Sequence, residues 1–127
     1  MDVIHNKKME SDEYNEHEVL KNYVLAYFTK YFTPTESLGF MGIVTELKAQ
    51  NFGPFMAKRI REEWKANTNP EVEEALSQGS EKFRETVFQR LVSEHGEDIF
   101  INRCPNCNKI AKTPRAKQCQ WCFHDWH

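Results

Sequence analysis

The placement of cysteine constrains this chain most. All four cysteines fall in the last quarter, as Cys104-Pro105-Asn106-Cys107 and Cys119-Gln120-Trp121-Cys122, two pairs that each enclose two residues and stand eleven residues apart. A Cys-x-x-Cys turn presents both sulfurs on one side, so two such turns folded together bring four thiolates to the corners of a tetrahedron around one Zn²⁺. Four protein ligands leave no position for water or substrate, which makes the expected ion structural rather than catalytic. Its task is to fold the tail. About thirty residues bury too little apolar surface to fold alone, whereas metal binding contributes on the order of 10 kcal/mol or more in small zinc modules.

Three other readings of the cysteines stay open. Two disulfides would need an oxidising compartment, but Met1-Asp2-Val3-Ile4-His5-Asn6-Lys7-Lys8 turns polar at once and carries no secretory leader, so a reducing cytoplasm is the expectation. Cys104-Pro105-Asn106-Cys107 has the form of a redox pair, although that chemistry needs a βαβ unit that the remaining twenty residues cannot supply. His124 or His127 is available to replace one cysteine as a ligand.

Lys109-Ile110-Ala111-Lys112 suits a short strand, Thr113-Pro114-Arg115-Ala116 a turn, and Lys117-Gln118 a return toward Cys119. With its two cysteine turns this stretch, residues 98–127, resembles a zinc ribbon, which implies Cys104, Cys107, Cys119 and Cys122 as ligands. The run from Thr113-Pro114 to Gln118-Cys119, with Trp121-Cys122 and Trp126, is also similar to the tail of functionally uncharacterised bacterial proteins, which implies no mechanism. One departure matters. Zinc knuckles commonly carry glycine just after the second cysteine, and here those places hold Asn108 and Phe123. Asparagine tolerates a left-handed backbone and phenylalanine does not, so the second turn either follows another path or is strained.

The rest of the chain reads as helix. Residues 1–10 are expected to be a flexible N-terminus, and a first helix to begin near Ser11 or Asp12 and run to about Phe32. Val19, Leu20, Tyr23, Val24, Tyr27, Phe28, Tyr31 and Phe32 repeat in pairs every four residues, the stripe of a central core helix, with Glu16, Glu18, Lys21 and Lys30 facing water. Thr33-Pro34-Thr35-Glu36 is a capping box opening a second helix, which carries Phe40, Met41, Val44 and Leu47; Gly39 and Gly42 inside it predict close packing. A third helix from Pro54 buries Met56, Ile60 and Trp64, a short acidic fourth spans Glu71 to Gln78, and Ser80 caps a fifth burying Phe83, Val87, Phe88, Leu91 and Val92. Asp98-Ile99-Phe100-Ile101-Asn102 reads as a strand entering the first cysteine turn. The residues carry no internal repeat.

The expected fold is therefore mainly α, a bundle of four to five helices (11–97) followed by a small C-terminal β zinc ribbon (98–127) packed on it. No Pro/Gly/Ser-rich linker separates the two.

Charge divides the chain. Residues 1–100 hold 12 Lys+Arg against 18 Asp+Glu, and residues 101–127 hold 5 against 1, so body and tail have opposite signs. No glycine-rich phosphate loop, His-Glu-x-x-His or nucleophile setting occurs, and the expectation is a non-enzymatic interaction or adaptor protein with a protein partner and no membrane partner. The alternative is a nucleic-acid-binding protein using Arg103, Lys109, Lys112, Arg115 and Lys117, with Trp121 or Trp126 for base stacking. Least favoured is an enzyme with an unrecognised site.

Overall fold

A computed structural model of the chain describes residues 13–127. Five α-helices occur among the described residues: α1 (Glu16–Tyr27), α2 (Pro34–Ala49), α3 (Pro54–Asn67), α4 (Pro70–Leu76) and α5 (Ser80–His95), with 3₁₀ turns at Thr29–Tyr31 and Gly96–Asp98. None is long and apolar enough to cross a membrane. The expected flexible segment 1–10 and a helix start at Ser11 or Asp12 lie outside the described residues.

The small C-terminal β zinc ribbon expected from the sequence is not formed. No strand or sheet exists among the described residues, and pairing is limited to two isolated antiparallel bridges, Arg103 with Ile110 and Gln118 with Asp125. The backbone groups that a hairpin would need are spent elsewhere. Pro114 has no N–H, Ala116 N–H closes a local turn on the Thr113 carbonyl, and the Asn102 amide takes the Thr113 and Ala116 carbonyls at 2.9 and 3.0 Å. The strand expected at Asp98–Asn102 fails in the same way. Its Phe100 carbonyl and Asn102 N–H both bond the Tyr23 hydroxyl instead of a neighbouring strand.

Helix ends follow local chemistry. The Asn15 side chain accepts the Glu18 N–H at 3.0 Å and so caps α1. That helix stops at Tyr27, short of the expected Phe32, where aromatic and β-branched residues of poor helix propensity accumulate ahead of Pro34. Thr33 and Glu36 form the expected capping box, each side chain accepting the other's backbone N–H at 3.1 and 2.9 Å. The N-cap position of α5 is held instead by Gly79, whose φ of 101° no other residue type adopts readily, and no side chain caps the helix.

The chain divides into two compact units, Met1–Tyr27 with Glu97–His127, and Phe28–Gly96. In the first, Tyr23, Val24, Ile99 and Ile110 are buried, and so is Lys21, which the sequence pattern had turned toward water; its ammonium pairs with Glu18 at 3.1 Å. In the second, α2 packs on α3, α4 and α5 around Val72, Phe83, Val87, Phe88 and Leu91. Arg90 ties α5 to the start of α2, with two bonds to Glu36 at 2.6 and 2.7 Å and one to the Tyr31 carbonyl at 2.8 Å. Several expected core residues instead face water: Met41, Val44 and Leu47 on α2, Met56 on α3 and Val92 on α5.

The two glycines of α2 are contact points. A Cβ at Gly42 would stand 2.7 Å from the Trp64 ring, and one at Gly39 would stand 2.3 Å from Cζ of Phe83. Alanine gains roughly 1 kcal/mol in helix propensity, but overpacking a closed core costs roughly 1–3 kcal/mol, and Phe83 is buried edge-on against Phe40. Gly39→Ala is therefore expected to lower stability by about 1–2 kcal/mol in urea unfolding. Gly96→Ala, in a right-handed conformation with nothing within 4 Å, should be neutral or stabilising; an unchanged midpoint for Gly39→Ala would mean that the Phe83 ring can yield.

Candidate metal centre

The two cysteine turns fold alike, fifteen positions apart. Cys104 N–H donates to the Lys109 carbonyl and Cys119 N–H to the His124 carbonyl, both at 2.9 Å. Asn108 N–H returns to the Cys104 carbonyl at 2.8 Å, and Phe123 N–H to the Cys119 carbonyl at 3.0 Å. The outer rungs match too, Ala111 to Asn102 and Trp126 to Lys117. Within residues 102–111 and 117–126 only the cysteines are common, so the repeat lies in the backbone and was illegible as sequence.

Both turns need a residue with positive φ just after the second cysteine, so that the chain can double back onto the first. Asn108 supplies φ 66° and Phe123 supplies φ 64°. The second turn thus takes the same path as the first and carries the strain of a phenylalanine in the left-handed region.

Inside each turn the first sulfur accepts two backbone N–H groups. Asn106 and Cys107 donate to Cys104 Sγ at 3.3 and 3.5 Å, and Trp121 and Cys122 donate to Cys119 Sγ at 3.3 and 3.4 Å. The turns then meet sulfur to sulfur. Cys104 lies 3.6 Å from Cys122 and Cys107 lies 3.6 Å from Cys119, and all four ligand atoms fall within 4.8 Å of one another. A disulfide would require about 2.05 Å, and all four cysteines are free thiols. A tetrahedral ion at about 2.3 Å from each sulfur would set the sulfurs about 3.8 Å apart, so the group fits a thiophilic metal ion with little rearrangement. No histidine joins it among the described residues: His127 pairs with Asp125, and His124 lies against Trp126.

Without a cation the four sulfurs cannot all ionise. The Asn106 amide and the His124 backbone N–H pull the Cys122 thiol down to about 6. Burial opposes ionisation of Cys119, but the Cys122 and Trp121 N–H groups outweigh it and lower that thiol. Lys109 N–H favours a thiolate at Cys107, yet desolvation and the other three sulfurs push it up to about 11. The site is asymmetric in exposure as well, with Cys104 and Cys119 buried, Cys107 half-buried and Cys122 exposed.

Side chains from α1 and the residues just before it hold the turns. Tyr23 Oη donates to the Phe100 carbonyl at 2.6 Å and accepts Asn102 N–H at 3.1 Å. Tyr14 Oη accepts Ile110 N–H at 3.1 Å and bonds Glu16, while its ring meets Trp121 edge-on at 5.0 Å. Arg103 reaches Glu16 at 2.5 Å and the Asn108 carbonyl at 2.9 Å. Hydrogen bonds from Arg103 and then Tyr14 hold the Glu16 carboxyl below the usual range, so this link contributes above the ordinary carboxylate pKa and is lost as pH falls through the depressed one. Tyr14, Tyr23 and Asn102 were not legible as site residues, because helical periodicity counts Tyr23 as core and gives the other two no pattern.

The seven candidate contact residues separate. Arg103 is committed to Glu16, Lys109 sits 5.3 and 5.8 Å over the Tyr14 and Trp121 rings, and Trp121 and Trp126 are half-buried. Lys112, Arg115 and Lys117 are exposed, with no ion pair among the described residues.

Two outcomes are expected from this geometry. Sharing one cation requires all four sulfurs as thiolates, so metal uptake releases protons, and affinity in a chelator competition should rise from acid toward neutral pH; a flat profile would count against thiolate ligation. Phe123 is 69% exposed, so Phe123→Gly sacrifices little packing and relieves the left-handed backbone. It should stabilise the metal-loaded protein by about 1 kcal/mol in chemical unfolding, and Asn108→Gly by less, since asparagine already tolerates that conformation. Comparison with protein-family models, with curated proteins and with solved structures found no match, so the centre stands on its own geometry.

Proposed function

We propose that the ion is a single structural Zn²⁺ bound by Cys104, Cys107, Cys119 and Cys122, and that the chain is a non-enzymatic interaction or adaptor protein of a reducing cytoplasm. The observation that carries this reading is the convergence of four free sulfurs within 4.8 Å. Zinc suits four soft thiolates in a tetrahedron, and with the coordination closed no position is left to activate water. Free thiols persist where disulfides are kept reduced, which supports the compartment.

Exposed apolar surface supports a protein partner. α2 is apolar around most of its circumference, and such a helix is ordinarily covered on every side. Its outer face nevertheless leaves Met41, Val44 and Leu47 at 59%, 63% and 56% exposure, a pattern that marks association surfaces. Nucleic-acid binding is the weaker reading. It keeps only Lys112, Arg115 and Lys117 for phosphate, and Trp121 is packed by Tyr14 rather than presented for stacking.

Metal analysis of purified protein should give one zinc per chain, and X-ray absorption should give four sulfur neighbours at about 2.3 Å. Chelation should collapse the dispersed NMR resonances of Ile110, Ala111 and Trp121. Protein that contains no metal and keeps those resonances under a strong chelator would overturn the assignment. For the interaction, Val44→Asp should release a stoichiometric protein partner retained by the immobilised chain, and retention of no such partner would remove the adaptor reading.

A further inference from the structure

The geometry points to a second binding surface, a groove between α1 and the cysteine turns that takes an acidic peptide segment with apolar anchors. This rests on the interaction reading above and names one partner chemistry for it. One wall is a single face of α1, where Val19, Tyr23, Ala26 and Tyr27 recur at helical spacing. The other wall is Ala111 and Lys112 beyond the first turn and Gln120 and Trp121 within the second. The groove holds about 380 Å³, and a further hollow of about 250 Å³ continues from Tyr27 to Thr113, Pro114 and Arg115. Pockets of this size accommodate anchoring side chains.

Two independent features define the occupant. The indole N–H of Trp121 is buried and has no acceptor among the described residues, an arrangement that costs roughly 1–3 kcal/mol and that a carbonyl or carboxylate relieves once the ring turns into the groove. The rim carries Lys112 and Arg115, both exposed and without an ion pair among the described residues, whereas Arg103 pairs with Glu16 and Lys109 lies over the Tyr14 and Trp121 rings. Apolar walls, an orphan donor and an unpaired cationic rim match an extended segment that offers apolar side chains, backbone carbonyls and carboxylates. A nucleic acid fits less well, because the Trp121 ring is met edge-on by Tyr14 and two rim cations supply few phosphate contacts. The second wall depends on the cysteine turns, so the groove exists only while those turns are held together.

The test pans a random-peptide display library against the full, zinc-loaded chain and titrates the enriched peptides by NMR. Enriched sequences should combine carboxylates with apolar residues, and should displace the Trp121 indole N–H resonance, assigned through Trp121→Phe. Lys112→Glu, and separately Ala26→Glu at an exposed helix position, should each weaken binding by about tenfold or more. Chelation should abolish it. Peptides lost on Val44→Asp but kept by both groove variants would overturn the groove while leaving the interaction reading intact. Enrichment of nothing, or of sequences without carboxylates, would overturn it as well. So would a stationary indole resonance, displacement of the peptide by single-stranded oligouridine, or sedimentation showing that Ala26→Glu instead dissolves a dimer.

Discussion

Four sulfurs drawn to within a few ångströms of each other are the constraint on which the carboxy-terminal part of this protein depends. The segment has little else to fold around. Its fully buried apolar side chains are few, chiefly Ile110 and Ala111 beside the two buried cysteines, and a core of that size cannot offset the ordering of some thirty residues at roughly 1–2 kcal/mol each. A shared cation would change that balance, converting mutual repulsion among thiolates into attraction, while the paired N–H groups on Cys104 and Cys119 spread negative charge into the backbone.

The strain at Phe123 and the clamp formed by Tyr14 and Tyr23 follow from the same demand. A doubled turn needs a left-handed residue at a fixed place, and the second turn meets that need with a poor residue for it. The tyrosine hydroxyls supply partners for Phe100, Asn102 and Ile110, whose backbone groups would otherwise lack the sheet that a ribbon provides. The absence of strands among the described residues and the presence of these tyrosine bonds are thus one fact seen from two sides.

The unit from Phe28 to Gly96 is built on ordinary packing. Gly39 and Gly42 admit the Phe83 and Trp64 rings, and the shielded Arg90–Glu36 pair orients α5 against α2, whereas the exposed Arg61–Glu46 pair, open to solvent and salt, contributes little. What distinguishes this unit is its uncovered side. The outer face of α2 and the groove beside α1 belong to different units, each with its own chemistry.

The sequence alone determined the local features. The four sulfurs of one site, the Thr33–Glu36 capping box, the helix breaks at proline and the crowding at Gly39 and Gly42 all depend on residue types a few positions apart, where spacing and backbone chemistry suffice. Tertiary structure decided the rest. A tyrosine at a helical repeat has the same period whether it fills a core or bonds a distant carbonyl, a Lys-Ile-Ala-Lys run pairs as a strand only if its neighbours leave their backbone groups free, and Met41, Val44 and Leu47 look like core until the helices opposite them are found to be elsewhere. Those outcomes depend on what lies across space from each side chain, which a linear pattern does not encode.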